Sequence, residues 1–68
     1  MTSESFARWL ADMKSAGLAR SDAEAARLLG ISANSVVSMK RDGVKGSAAM
    51  RTALACRALL HRLGPYGR

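Results

Sequence analysis

Few side chains in this sequence could perform chemistry, and they do not form a recognisable catalytic set. The 68 residues include one histidine, His61, and one cysteine, Cys56. All five carboxylates lie in residues 1–42, so no acid after Gly43 is available to assist His61. There is no phosphate-binding glycine loop, no dinucleotide fingerprint and no cysteine–histidine spacing that suits zinc. We therefore expect no enzyme, no small-molecule substrate and no bound metal or cofactor.

The basic side chains indicate a polyanionic partner instead. The formal net charge is +6, and six of the eleven Lys and Arg residues share residues 1–42 with the acids. The remaining five have no acid beside them in sequence: Lys45, Arg51, Arg57, Arg62 and Arg68. Such an excess attracts polyanions, although arginine on a solvated helix face is also common without one.

The size of the chain limits how it is stabilised. A 68-residue domain buries a small fraction of its surface, and Cys56 has no partner for an intrachain disulfide. A homodimer would bury more surface and is physically attractive.

The longest uncharged apolar run, 53–56, is far below the ~20 residues of a membrane helix, and no signal peptide is recognisable. These features predict a soluble, cytoplasmic protein.

The elements that must position the polar side chains are helical. Ser21 and Glu24 form an S-x-x-E capping box, Gly30 ends the helix that follows, and Ser32 caps the next one. Apolar residues at helical spacing predict a small shared core of Ala25, Ala26, Leu29, Ile31, Val36 and Met39. This pattern is a helix-turn-helix over about 22–41, which leaves the polar face of its second helix free to enter a DNA groove.

Two further helices complete an all-α fold, a compact bundle of four or five helices in one domain over 1–68. The first is expected over about 4–16, capped by Thr2 or Ser3, with a buried stripe of Phe6, Trp9, Leu10 and Met13. The last is expected over about 48–63, capped by Ser47 and stopped by Gly64–Pro65. Three glycine–apolar pairs, 17–18, 30–31 and 43–44, match left-handed helix ends whose next residue packs back on the helix.

The last helix carries two apolar patches on a helical wheel. The broad one is expected to cover the core and contains Ala49, Ala53, Cys56, Leu59, Leu60 and Leu63. Met50 and Leu54 lie outside that arc, near Arg57 and His61. This second patch is a candidate surface for self-association, with a monomer that buries both patches as the alternative.

On these residues the chain resembles the helix-turn-helix of phage Cro and repressor proteins and of the wider Cro/repressor-like regulators. The match covers 22–41: Ala26 stands where the helices cross, Gly30 at the turn, and Ile31, Val36 and Met39 at inward positions. The plan with a closing carboxy-terminal helix also looks like the small anti-CRISPR-associated autorepressors of phages and mobile elements.

The resemblance implies roles for residues at the start and outer face of the recognition helix. The positions that match the family's base readers are Ala33, Asn34, Val37, Ser38 and Arg41. Asn34 suits an adenine edge, Val37 a thymine methyl, and Arg41 a guanine or a phosphate. Asn34 and Ser38 could instead be plain solvated residues of the helix.

Contacts to the DNA backbone are implied for a second set: Arg20, Arg27, Ser32, Ser35, Lys40 and Lys45. Ser32 and Ser35 could equally serve the helix amino terminus. Asp22 departs from the family, which often has a glutamine there that touches the backbone. An acid at this position suits its own helix dipole but repels phosphate.

The resemblance therefore implies a sequence-specific transcriptional regulator, a homodimeric autorepressor that binds an inverted repeat through the major groove. The residues expected to mediate dimerisation are Met50, Leu54, Arg57 and His61. The main alternative is an antitoxin-like or adaptor module that uses the same fold to dock another protein. RNA binding is a third reading, but the exposed aromatics and glycine loops of common RNA modules are missing.

Overall fold

Four α-helices account for most of the chain. The computed structural model describes residues 1–64, 66 and 67, and it has no strand among them. The helices are α1 (Ser3–Ser15), α2 (Asp22–Leu29), α3 (Ala33–Asp42) and α4 (Ser47–Leu60). The expected all-α bundle is thus confirmed. Helices α2 and α3 form the helix-turn-helix, α1 packs against both, and α4 closes over α1 and α2.

Hydroxyl side chains begin the first three helices, as their sequences predict. In each case the oxygen accepts the backbone N–H three residues ahead, at 3.0–3.2 Å, and the caps are Thr2, Ser21 and Ser32. The capping box is modified, because the Glu24 carboxylate accepts from the N–H of Arg20 at 3.2 Å and not from that of Ser21. Three of the four helix starts were therefore readable from local sequence.

The core lies where α1 packs against the helix-turn-helix. Phe6 and Trp9 are core residues, with ring centroids 5.6 Å apart. The fully buried apolar side chains are Phe6, Trp9, Leu10, Met13, Ala19, Ala25, Ala26, Val36 and Cys56. Leu29, Ile31 and Met39 are half-buried against this cluster. The predicted α1 stripe and the predicted helix-turn-helix core are both confirmed.

Helix α4 differs from its prediction at both ends. Gly46 occupies the cap position without a side-chain bond, so Ser47 is the first helical residue and not the cap. The helix ends at Leu60, because Arg62 adopts φ +60° and the N–H of Leu63 turns back to the Ala58 carbonyl at 2.8 Å. Arg62 therefore adopts the left-handed conformation that is usually adopted by glycine at a helix end. The expected stop at Pro65 lies outside the described residues, as does Arg68.

Fewer residues of α4 are buried in the core than the sequence predicts. Of the fourteen residues of α4, all within the described part of the chain, Cys56 alone is fully buried. Ala53 and Leu63 are exposed, contrary to their expected core positions. Leu63 leaves the core because the helix ends before it, and Ala53 faces a groove between α1 and α4. None of the four helices, within the described residues, has the length and apolar character needed to cross a bilayer.

Two of the three glycine–apolar pairs form the expected left-handed helix end, and the third does not. At Gly30, φ is +75° and the N–H of Ile31 bonds back to the Ala26 carbonyl at 3.0 Å, as expected for a left-handed helix end. Gly17 ends α1 in the same way. Gly43 does not, since the N–H of Val44 donates to the Met1 carbonyl at 2.8 Å. The Met1 amino group donates back to the Val44 carbonyl at 3.0 Å, which ties the first residue to the loop after α3.

Candidate nucleic-acid interface

Helix α3 presents one face of polar and apolar side chains to solvent. Every proposed base reader is exposed there: Ala33, Asn34, Val37, Ser38 and Arg41. Their three- and four-residue spacing places them on one side of the helix, while Val36 is buried and Met39 is half-buried on the other. The side chain of Val37 is apolar yet 60% exposed. The structure therefore brings this set together on one exposed face of α3.

The amino terminus of α3 is organised by its two serines. Ser32 accepts from the N–H of Ser35 at 3.1 Å, and the two hydroxyl oxygens lie 3.0 Å apart. Ser35 is half-buried and lines a groove under α3, whereas Ser32 is exposed. Both hydroxyl groups therefore form hydrogen bonds at the amino terminus of α3, which is one of the two alternatives that the sequence left open.

Asp22 links three helices through an ionic cluster. Its two carboxylate oxygens lie 3.0 Å from Lys14 Nζ and 2.9 Å from Lys40 Nζ. The hydrogen bond from Lys40, followed by the ion pair with Lys14, lowers the pKa of Asp22. Lys14 lies in the last turn of α1, Asp22 begins α2, and Lys40 lies in the last turn of α3. Lys40 is therefore held by Asp22 where α2 meets the end of α3.

Lys14 was not among the candidate residues, although the sequence carries a weak signal for it. A base in the last turn of one helix and an acid at the start of the next suit both helix dipoles, and such ends meet when the connection is short. The sequence does not reveal that Lys40, 18 residues beyond Asp22, shares the same carboxylate.

Arg41 is held by its sequence neighbour. Its guanidinium donates to the Asp42 carboxylate at 3.2–3.3 Å, and these hydrogen bonds raise the pKa of Arg41. Both side chains are largely exposed, at 71% and 59%, so the pair is weak and an exchange of Asp42 for a base or phosphate costs little. Arg41 remains available at the end of the α3 face.

The other proposed phosphate contacts surround the helix-turn-helix. Arg20 precedes α2, and its side chain is 91% exposed, with Nε 3.8 Å from a Glu24 carboxylate oxygen. Arg27 on α2 and Lys45 in the loop after α3 are exposed. Neither forms an ion pair with any residue among those the structure describes.

The fold brings His61 closer to other functional groups than its sequence neighbourhood suggests. Asp12, Cys56 and His61 line the same groove between α1 and α4. Burial raises the pKa of Cys56 to about 11, so the thiol stays protonated at neutral pH and is a poor nucleophile. No three His, Cys, Asp or Glu residues in the described part of the chain are placed to hold a metal ion.

No protein-family model, no curated protein and no solved structure matches the chain. Function is therefore inferred from the side chains and their arrangement.

Proposed function

We propose that this protein is a sequence-specific DNA-binding regulator that inserts α3 into the major groove and represses transcription as a homodimer on an inverted repeat. The observation that carries this proposal is the exposed face of α3, on which Asn34, Ser38 and Arg41 offer hydrogen-bonding groups beside Val37. Side chains of these types recognise base edges and thymine methyls. The helix is anchored behind by Val36, so its outer face is presented on a fixed support.

The charge distribution supports DNA as the ligand. The net charge is +6, and exposed bases lie beside the helix-turn-helix at Arg20, Arg27 and Lys45. Contacts of this kind to phosphates fix the orientation of a recognition helix, while the base edges provide the sequence information. The first turn of α3 has no acid, so its helix dipole also favours a nearby phosphate.

The dimer contact in this proposal lies on α4. Helix α4 is the most apolar of the four, yet Met50 and Leu54 are 69% and 60% exposed on adjacent turns. A helix that is apolar around most of its circumference is normally covered on most sides. A second copy of this chain is the occupant that DNA reading requires, because one recognition helix contacts few base pairs.

The groove beside this apolar patch has complementary charges for a two-fold contact. It is an open groove of about 450 Å³ between α1 and α4, and its lining includes Arg8, Asp12, Arg57 and His61. Neither Asp12 nor Arg57 forms an ion pair with any described residue of the same protomer. Across a two-fold axis, Asp12 of one copy can meet Arg57 of the other. This supports an isologous dimer in which Met50 and Leu54 form the apolar centre.

A mobility-shift titration tests the function directly. The probe is the duplex upstream of the protein's own coding sequence, and a scrambled duplex of equal length and composition is the competitor. We expect a complex of two protomers per duplex, resistant to the scrambled competitor, whose footprint shows half-sites about one helical turn, ~10 bp, apart. Equal competition by the scrambled duplex would overturn the proposal. In that case the exposed Met50 and Leu54 favour the protein-docking module.

A further inference from the structure

We propose that Asp22 limits non-specific DNA binding: its carboxylate competes with DNA phosphates for the ammonium groups of Lys14 and Lys40. This inference rests on the proposed function and concerns the same surface. It assigns a role to the acid that begins α2, where a phosphate would otherwise be favoured by the helix dipole.

The geometry of the cluster resembles that of a bound phosphate. Two oxygens of one anion contact two ammonium groups from different helices, at 3.0 Å to Lys14 and 2.9 Å to Lys40. Lys40 directly precedes Arg41 and follows Val37 by three residues, so the cluster borders the exposed face of α3. A DNA strand that lies along this face must pass close to the cluster.

Lys14 and Lys40 are paired with Asp22 but remain partly exposed to solvent. Their side chains are 47% and 46% exposed, while that of Asp22 is 33% exposed. With the carboxylate in place the cluster carries a net charge of +1, whereas without it Lys14 and Lys40 would present two free cations. A DNA phosphate must therefore compete with Asp22 for either lysine.

This competition acts on phosphate contacts, which cognate and non-cognate complexes share. Non-cognate binding depends almost entirely on contacts to phosphate, whereas cognate binding also includes base contacts. A similar loss of phosphate binding free energy in both complexes lowers both affinities and leaves their ratio unchanged. Asp22 would therefore keep binding to non-cognate DNA weak, while base contacts still support the cognate complex.

Asp22→Asn is the first test because it removes the charge and keeps the shape. Glu4→Gln is its matched control, since Glu4 is also a first-turn acid and its loss changes the net charge equally, but it contacts neither lysine. Affinity for the cognate and the scrambled duplex is measured as a function of salt. For Asp22→Asn we expect non-cognate affinity to rise about tenfold at low salt and the salt slope to steepen by about one to two, at roughly 0.9 per phosphate. Glu4→Gln should leave the slope unchanged.

A second pair of variants does not depend on whether Asp22→Asn folds. Lys40→Gln removes a lysine that is held by Asp22, whereas Lys45→Gln removes an exposed lysine that pairs with no described residue. On the scrambled duplex we expect Lys45→Gln to reduce the salt slope by about 0.9 and Lys40→Gln to reduce it by clearly less. Equal reductions by the two variants, or an unchanged slope in folded Asp22→Asn, would overturn the inference. A wild-type protein that does not distinguish the two duplexes would instead overturn the proposed function.

Discussion

The indole N–H of Trp9 donates a hydrogen bond to the Cys56 carbonyl at 2.8 Å, in the buried contact between α1 and α4. The two residues are separated by 47 positions in sequence. Because Cys56 is the one fully buried residue of α4, this bond and the packing around it fix the closing helix on the rest of the fold. The orientation of α4 in turn sets the direction in which Met50 and Leu54 face.

Trp9→Phe should destabilise the protein by at least about 1 kcal/mol, because it removes the hydrogen bond and leaves space in the core. For a domain of this size we expect the Tm to fall by roughly 4–8 °C for each kcal/mol. A thermal melt followed by far-ultraviolet circular dichroism measures the change. The exposed substitution Val37→Ala is the control, and an equal melting shift in both variants would show that the Trp9 contact is unimportant.

Gly43→Ala should be more destabilising than Gly30→Ala, although both glycines have nearly the same φ, +76° and +75°. A Cβ at Gly43 would lie 2.7 Å from the Met1 carbonyl oxygen and 2.9 Å from the Ser3 nitrogen, whereas nothing lies within 4 Å of a Cβ at Gly30. Gly43 also has ψ −166°, a combination that essentially only glycine adopts. We expect about 1 kcal/mol for Gly30→Ala and clearly more for Gly43→Ala in urea unfolding. A smaller effect at Gly43 would contradict the Met1 contact.

Asn34→Ala should weaken binding to the cognate duplex by about 1–3 kcal/mol and leave binding to scrambled DNA nearly unchanged, because a base contact depends on sequence. Fluorescence anisotropy on both duplexes provides the two affinities. Arg27→Ala is the matched control, since a lost phosphate contact should weaken both complexes alike. Equal losses on the two duplexes for Asn34→Ala would refute its assignment as a base reader.

If the proposed dimer forms, Leu54→Glu should yield a folded monomer that binds the inverted repeat without cooperativity, because it would bury a charge in the apolar centre of that dimer. Leu63→Glu is a matched control, since Leu63 is 62% exposed and Leu54 is 60% exposed, but Leu63 lies beyond the end of α4. Analytical ultracentrifugation at micromolar concentration reports the oligomeric state. A monomeric wild type that also binds DNA one-to-one would contradict both the dimer and the palindromic operator.

The pKa of Asp22 predicts a component of acid sensitivity. Its folded-state pKa lies below the ordinary value of 3.8, chiefly through the hydrogen bond from Lys40 and then the ion pair with Lys14. The carboxylate therefore stabilises the fold above pH 3.8, and this contribution is lost as the pH falls through the lower folded-state pKa. We expect the Tm difference between wild type and Asp22→Asn to shrink on acidification below 3.8. A difference that stays constant through this range would contradict the ionic cluster.

Local signals in the sequence predicted most of the fold and the exposed face of the candidate site. The caps Thr2, Ser21 and Ser32 and the turn glycine Gly30 each act on backbone groups a few residues away. Helical periodicity then separates buried Val36 from exposed neighbours such as Val37. These features could be predicted because each residue acts on backbone groups or neighbours within one or two helical turns.

The early end of α4 could not be read in the same way. Arg62 carries no sequence signal for a left-handed conformation, and the expected stop lay further along the chain. The helix nevertheless turns back at Leu63, whose N–H bonds to the Ala58 carbonyl. A helix-breaking residue such as proline sets the last position that a helix can reach. Tertiary packing and terminal hydrogen bonds decide where the helix ends before that position.

The sequence by itself determined the helix-turn-helix, the composition of its small core and the excess of positive charge. Tertiary structure alone decided that Met1 pairs with the loop after α3, that Trp9 holds α4, and that Asp22 joins Lys14 to Lys40. The physical reason is distance along the chain, since the Met1, Trp9 and Lys40 contacts span 43, 47 and 18 residues. Hydrogen bonds and ion pairs act over a few ångströms, so such partners become definite only once packing has brought the helices together.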